Sequence, residues 1–107
     1  MEKFNLDDME RGWFIGNFNP TVFKTNSCEV AIKKYLKDDY EERHFHKIAT
    51  EVTVILSGEV LLDNTLYKSG DIIKIQPGKA VDFKALTDVI TIVVKLPGAP
   101  NDKYLTK

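Results

Sequence analysis

The feature that most constrains this chain is its punctuation. From Trp13 onward, short segments rich in Val, Ile, Leu, Tyr and Phe alternate with turn signals, and no segment holds a helical period over two turns. Strands are expected over 13–16, 28–36, 42–46, 51–56, 59–62, 65–67, 72–75, 81–83 and 89–95. The breaks between them are built from residues that turn a chain: Asn17 to Pro20, Lys37-Asp38-Asp39, Ser57-Gly58, Asp63-Asn64, Ser69-Gly70-Asp71 and Pro77-Gly78. Pro97 and Pro100 stop the last strand. Regular short strands of this kind predict an all-β, antiparallel sandwich or barrel. Only residues 6–11 suggest a helical turn, with Asn5 as a weak N-cap.

Length and charge narrow the function classes. A chain of 107 residues is the size of one domain and builds only a modest core. Fifteen basic and sixteen acidic residues give a net charge of −1, and the signs are mixed along the chain. That balance provides no positive field for nucleic acid. The densest basic cluster, Lys33, Lys34 and Lys37, is soon answered by Asp38, Asp39, Glu41 and Glu42 and reads as a solvated edge. A single cysteine, Cys28, excludes an internal disulfide, and no apolar run approaches the length of a membrane span. With no signal-peptide pattern at the N-terminus, the expectation is a cytoplasmic protein with no membrane or nucleic-acid partner. Residues 1–107 are expected to form a single domain, with 1–27 as an N-terminal extension packed on the barrel.

Chemistry concentrates in one place. The only two histidines, His44 and His46, are two residues apart, so on a strand they share a face. Glu51 follows after a short bend and can bring a carboxylate to the same point. Two imidazoles and one carboxylate suit a first-row divalent ion and leave positions open for water or substrate. Parity on the next strand puts Glu51, Thr53 and Ile55 on one face and Val52, Val54 and Leu56 on the other. The second, aliphatic set needs a cover, and both the N-terminal segment with Phe4, Trp13 and Phe14 and another subunit are expected to supply it, so a homodimer is the expectation.

The spacing His44-x-His46-x4-Glu51-x6-Gly58 resembles the first motif of the cupin superfamily, and Gly70 to Gly78 resembles the second. Three positions depart from those motifs. Asp38 stands where the first motif opens on Gly, Gln76 stands where the second has Pro, and Val81 stands where it carries a fourth ligand, His. Asp82, one residue out of register, is expected to face away from the pocket. The resemblance implies a double-stranded β-helix, a jelly-roll-like antiparallel β-barrel. It implies His44, His46 and Glu51 as metal ligands for Fe, Mn, Ni or Zn, with no organic cofactor. Two functions remain open: a metal-dependent enzyme acting on a small polar substrate such as a sugar or keto acid, and a non-catalytic module that binds a small ligand. A metal-free isomerase with one histidine as base and a tyrosine (Tyr35, Tyr40 or Tyr67) as acid is a third, lesser reading.

Overall fold

The computed structural model describes residues 1–106. Ten strands form in the order the punctuation dictates: β1 (Trp13–Ile15), β2 (Glu29–Tyr35), β3 (Tyr40–Phe45), β4 (Thr50–Ser57), β5 (Glu59–Leu62), β6 (Thr65–Lys68), β7 (Ile72–Ile75), β8 (Val81–Ala85), β9 (Val89–Leu96) and β10 (Tyr104–Leu105). Nine match expected segments to within two residues at each end; β10 lies beyond the prolines that end β9. Residues 6–11 form two single 3-10 turns, Leu6–Asp8 and Glu10–Gly12, and the Asn5 side chain caps the first by accepting from the Asp7 N–H at 2.9 Å.

The strands make two five-stranded antiparallel sheets, ordered β1-β2-β9-β4-β7 and β10-β3-β8-β5-β6. This is a jelly-roll-like pair of sheets rather than one closed barrel. Turn chemistry explains the connections. Asp63 and Asn64 both take positive φ (50° and 63°), the two-residue hairpin geometry whose twist matches that of the strands it joins, and Leu62 pairs with Thr65 across it. Gly58 stands at φ +90°, and a Cβ there would lie 2.3 Å from the Asp88 carbonyl oxygen; only glycine fits.

Alternation decides what the sheets enclose. Along β9, Val89, Thr91, Val93 and Lys95 face inward; along β2, Glu29, Ala31, Lys33 and Tyr35; along β4, Glu51, Thr53 and Ile55. One end of the interior is therefore apolar. Ile55, Val60, Leu62, Phe83, Ala85 and Val89 pack there, with the Tyr35 and Phe83 rings 4.4 Å apart. The other end is polar and opens into a cavity. Ile55 is fully buried at the apolar end. Ile55→Ala is expected to destabilise the protein by about 3 kcal/mol, read as a lower urea midpoint with unchanged slope.

β1 joins the sheet as an edge strand on β2, with Trp13 opposite Ala31. This corrects one expectation: Trp13 lines the cavity and is not a lid on the outward residues of β4. β1 and β4 are separated by β2 and β9, which is why the N-terminal strand does not lie on Val52 or Val54. Leu56 remains 45% exposed.

Candidate functional site

The polar end of the sandwich holds a cavity of about 420 Å³. All three expected donors line it: His44 from β3, His46 just after β3, and Glu51 from β4. Val81 on β8 lines it too, directly opposite His44 in the strand register, so the position of the cupin fourth ligand is apolar. Asp82 takes the other face, where its carboxylate accepts from the Tyr40 hydroxyl (3.2 Å) and the Asp63 N–H (3.2 Å). Parity alone gave that orientation.

Each histidine is fixed by its Nδ1. The His44 Nδ1 lies 2.9 Å from the Glu42 carbonyl oxygen, and the His46 Nδ1 is hydrogen-bonded to the Asp102 carbonyl. A carbonyl only accepts, so Nδ1 carries the hydrogen in both rings and Nε2 of the neutral ring presents its lone pair. Backbone fixation of Nδ1 is the arrangement that orients metal-ligating histidines. The two rings meet edge to face with centroids 5.4 Å apart.

His46 is 5% exposed, and its Nε2 is fully buried without a hydrogen-bond partner, 3.4 Å from Glu51 Oε1. Two lone pairs face each other across that gap, and only a proton or a cation between them makes the contact favourable. Glu51 also accepts from the Thr53 hydroxyl (3.0 Å). Burial pushes the Glu51 carboxyl up, but His46 and Thr53 outweigh it and leave its pKa below the usual value. Burial draws the His44 pKa down, which favours the neutral, ligating form. As the side chains stand, no three His, Cys, Asp or Glu groups among the described residues are gathered about one point. The donor types and both ring orientations nonetheless fit a first-row divalent ion.

Sequence reasoning missed several residues of this site. Asp102 is the most consequential. Its carboxylate accepts from three consecutive backbone N–H groups, those of Lys47 (2.9 Å), Ile48 (3.0 Å) and Ala49 (3.0 Å), while its carbonyl holds His46. The segment after Pro97 thus straps across the bend between β3 and β4, and β10 pairs with β3 to hold it there. Those backbone donors hold the Asp102 pKa below the usual carboxylate range against the effect of burial. Nothing local in sequence links residue 102 to residue 46.

Glu41 was also missed. A register shift between Glu41 and His44 lets both residues, three apart, face the cavity. Glu41 accepts a 2.6 Å hydrogen bond from the Tyr35 hydroxyl, whose pKa is pushed far up by burial and by that carboxylate. Tyr40 and Tyr67 lie elsewhere: Tyr40 is exposed and Tyr67 packs on the core. Lys33 corrects the reading of 33–37 as solvated. Lys34 and Lys37 are exposed, but Lys33 lines the cavity because it shares the inward parity of Glu29, Ala31 and Tyr35. Applying parity to β2, as to β4, finds it.

Comparison with known structures places this architecture. The chain superposes on an uncharacterized conserved protein with a double-stranded β-helix domain from Klebsiella pneumoniae (TM-score 0.73, 23% identity), covering 97% of this chain and 90% of that one. It superposes on the DMSP lyase DddQ from Ruegeria pomeroyi (TM-score 0.72, 19% identity), covering 97% of this chain and 56% of that one. It also superposes on an RmlC-like cupin from Shewanella frigidimarina (TM-score 0.63, 21% identity), with 73% and 72% covered. No protein-family model matches the chain, and no curated protein sequence matches it. The fold is the double-stranded β-helix of the cupins. Among the described residues, no helix is long and apolar enough to cross a membrane.

Proposed function

We propose that His44, His46 and Glu51 hold one divalent ion at the polar end of the sandwich, and that the protein is a metal-dependent cupin enzyme acting in the cytoplasm on a small polar substrate, such as a sugar or keto acid. The observation that carries this reading is the buried His46 Nε2, without a partner and turned towards the Glu51 carboxylate. The enzymatic part draws support from the likeness to a solved structure named as a lyase. When bound, such an ion polarises a carbonyl or hydroxyl oxygen of the substrate. The chain's own residues do the rest. Asp102 orients His46, the Tyr35 hydroxyl holds Glu41 in place as a proton acceptor facing the cavity, and Val81 and Phe83 keep the wall beside them dry.

Val81 favours a second reading. An apolar side chain in the fourth-ligand position suits a pocket that binds a small molecule without turning it over. Elemental analysis separates the two. Protein prepared with Fe, Mn, Ni and Zn supplied carries close to one ion per chain on the first reading and none on the second.

A second copy of the chain is the proposed cover for the outward face of the β1-β2-β9-β4-β7 sheet. Val30, Val94 and Val52 form one aliphatic row across it, and Ile32, Ile92, Val54 and Ile72 the next. Ile72 is 68% exposed. A face of this kind is self-complementary about a two-fold axis. Sedimentation of the wild type is expected to give a dimer and Val54→Lys a monomer; a monomeric wild type contradicts the assignment.

A further inference from the structure

Four polar side chains on β2 and β9 line the cavity without partners of their own. Glu29 is 6% exposed and its Oε2 is fully buried with no hydrogen-bond partner; Thr91 is 1% exposed and its Oγ1 is in the same state. Lys33 and Lys95 lie beside them, since Glu29 pairs with Lys95 and Lys33 with Thr91 in the strand register. No carboxylate oxygen of the described residues comes within 4.0 Å of either lysine Nζ. What both ammonium groups share instead is the Trp13 ring, with Lys95 Nζ 4.8 Å and Lys33 Nζ 5.7 Å from its centroid.

Three other acids of the cavity already accept hydrogen bonds. Glu41 accepts from Tyr35, Glu51 from Thr53, and Asp102 from three backbone N–H groups. Among the described residues Lys33 and Lys95 are left without an ion pair, beside a Glu29 whose buried Oε2 has no hydrogen-bond partner. Buried polar atoms are satisfied nearly everywhere in folded proteins, and a cluster of unsatisfied ones in a cavity marks where a ligand supplies the missing partners. Lysine pairs a carboxylate as a point charge, and a buried carboxylate and threonine hydroxyl accept from or donate to hydroxyl groups.

We infer that Lys33, Lys95, Glu29 and Thr91 form a subsite, beside Trp13, for the carboxylate and adjoining hydroxyl of a small hydroxy acid. The inference deepens the functional reading above by naming the class of ligand for the same cavity, and it rests on that reading only for what happens to the ligand afterwards. Lys33 and Lys95 hold the carboxylate. Glu29 takes a hydroxyl hydrogen, and Thr91 completes the set.

Trp13 is the only tryptophan in the chain, so its fluorescence reports on this corner alone. The test titrates chelator-treated protein with lactate, malate and gluconate and with the uncharged counterparts lactamide, malamide and sorbitol. Calorimetry serves as the second readout. At least one acid is expected to bind and shift the Trp13 emission, at least about tenfold more tightly than its counterpart. Lys95→Met and Lys33→Met should each weaken that binding by about tenfold or more, while Lys95→Arg, which keeps the charge, retains most of it. Circular dichroism identifies variants that have kept the fold. Equal binding of acids and counterparts, no binding of any acid by either readout, or undiminished binding in a folded Lys95→Met overturns the inference. Because the protein is metal-free throughout, failure to load an ion fails the metal reading and leaves this one standing.

Discussion

Replacing His46 with alanine is expected to lower divalent-metal affinity by about a hundredfold or more. His46 holds its position for reasons outside its own strand. Its Nδ1 is committed to the Asp102 carbonyl, so its Nε2 has one direction to face, towards Glu51 at 3.4 Å. Removing the ring removes a donor and also the positive partner, proton or cation, that the buried Glu51 carboxylate needs. Glu51→Gln is the complementary variant. It keeps the shape and the Thr53 contact but removes the charge, and it should also lose the ion. Competition against a fluorescent chelator measures both. If either variant holds metal as the wild type does, these two residues are not ligands.

Asp102→Ala is expected to destabilise the protein by about 3 kcal/mol, as much as the loss of a fully buried core side chain. A 5% exposed carboxylate accepting three backbone hydrogen bonds leaves the N–H groups of Lys47, Ile48 and Ala49 without partners when it is removed. The loss also frees the segment that holds His46, so metal affinity should fall by about tenfold, less than on losing a ligand. The pH dependence follows in sign. Because the native Asp102 pKa is depressed, its stabilisation is fully present above the ordinary carboxyl range. It is lost as the pH falls through the native value. Denaturant melts over an acid pH series should show the wild type losing its advantage over Asp102→Ala as the pH drops. A constant difference across that range contradicts the role assigned to the carboxylate.

What was legible in the sequence was whatever depends on near neighbours in the chain. Asp63-Asn64 and Ser57-Gly58 specify their turns through allowed φ, so strand boundaries could be read from them. Alternation put Glu51, Thr53 and Ile55 inside, and the same rule turned Asp82 outward. The residues that were missed act across long separations or break the alternation. Asp102 works 56 residues from His46 through a strap that follows two prolines. Glu41 reaches the cavity only because an irregularity in β3 inverts its parity relative to His44. Lys33 was legible by parity, but its charged neighbours obscured it. The basic run suggested solvent on every side, whereas a strand sends only alternate residues there.

The central claim is that His44, His46 and Glu51 share one metal ion. The most direct measurement is the metal content of the purified protein after supply of Fe, Mn, Ni and Zn and removal of loosely held ions, followed by X-ray absorption at the edge of the retained metal. The expected result is close to one ion per chain, with two imidazole nitrogens and one carboxylate oxygen in its inner shell, and no retained ion in His46→Ala. A wild type that folds normally but keeps no ion, or an ion whose inner shell contains no imidazole, contradicts the claim.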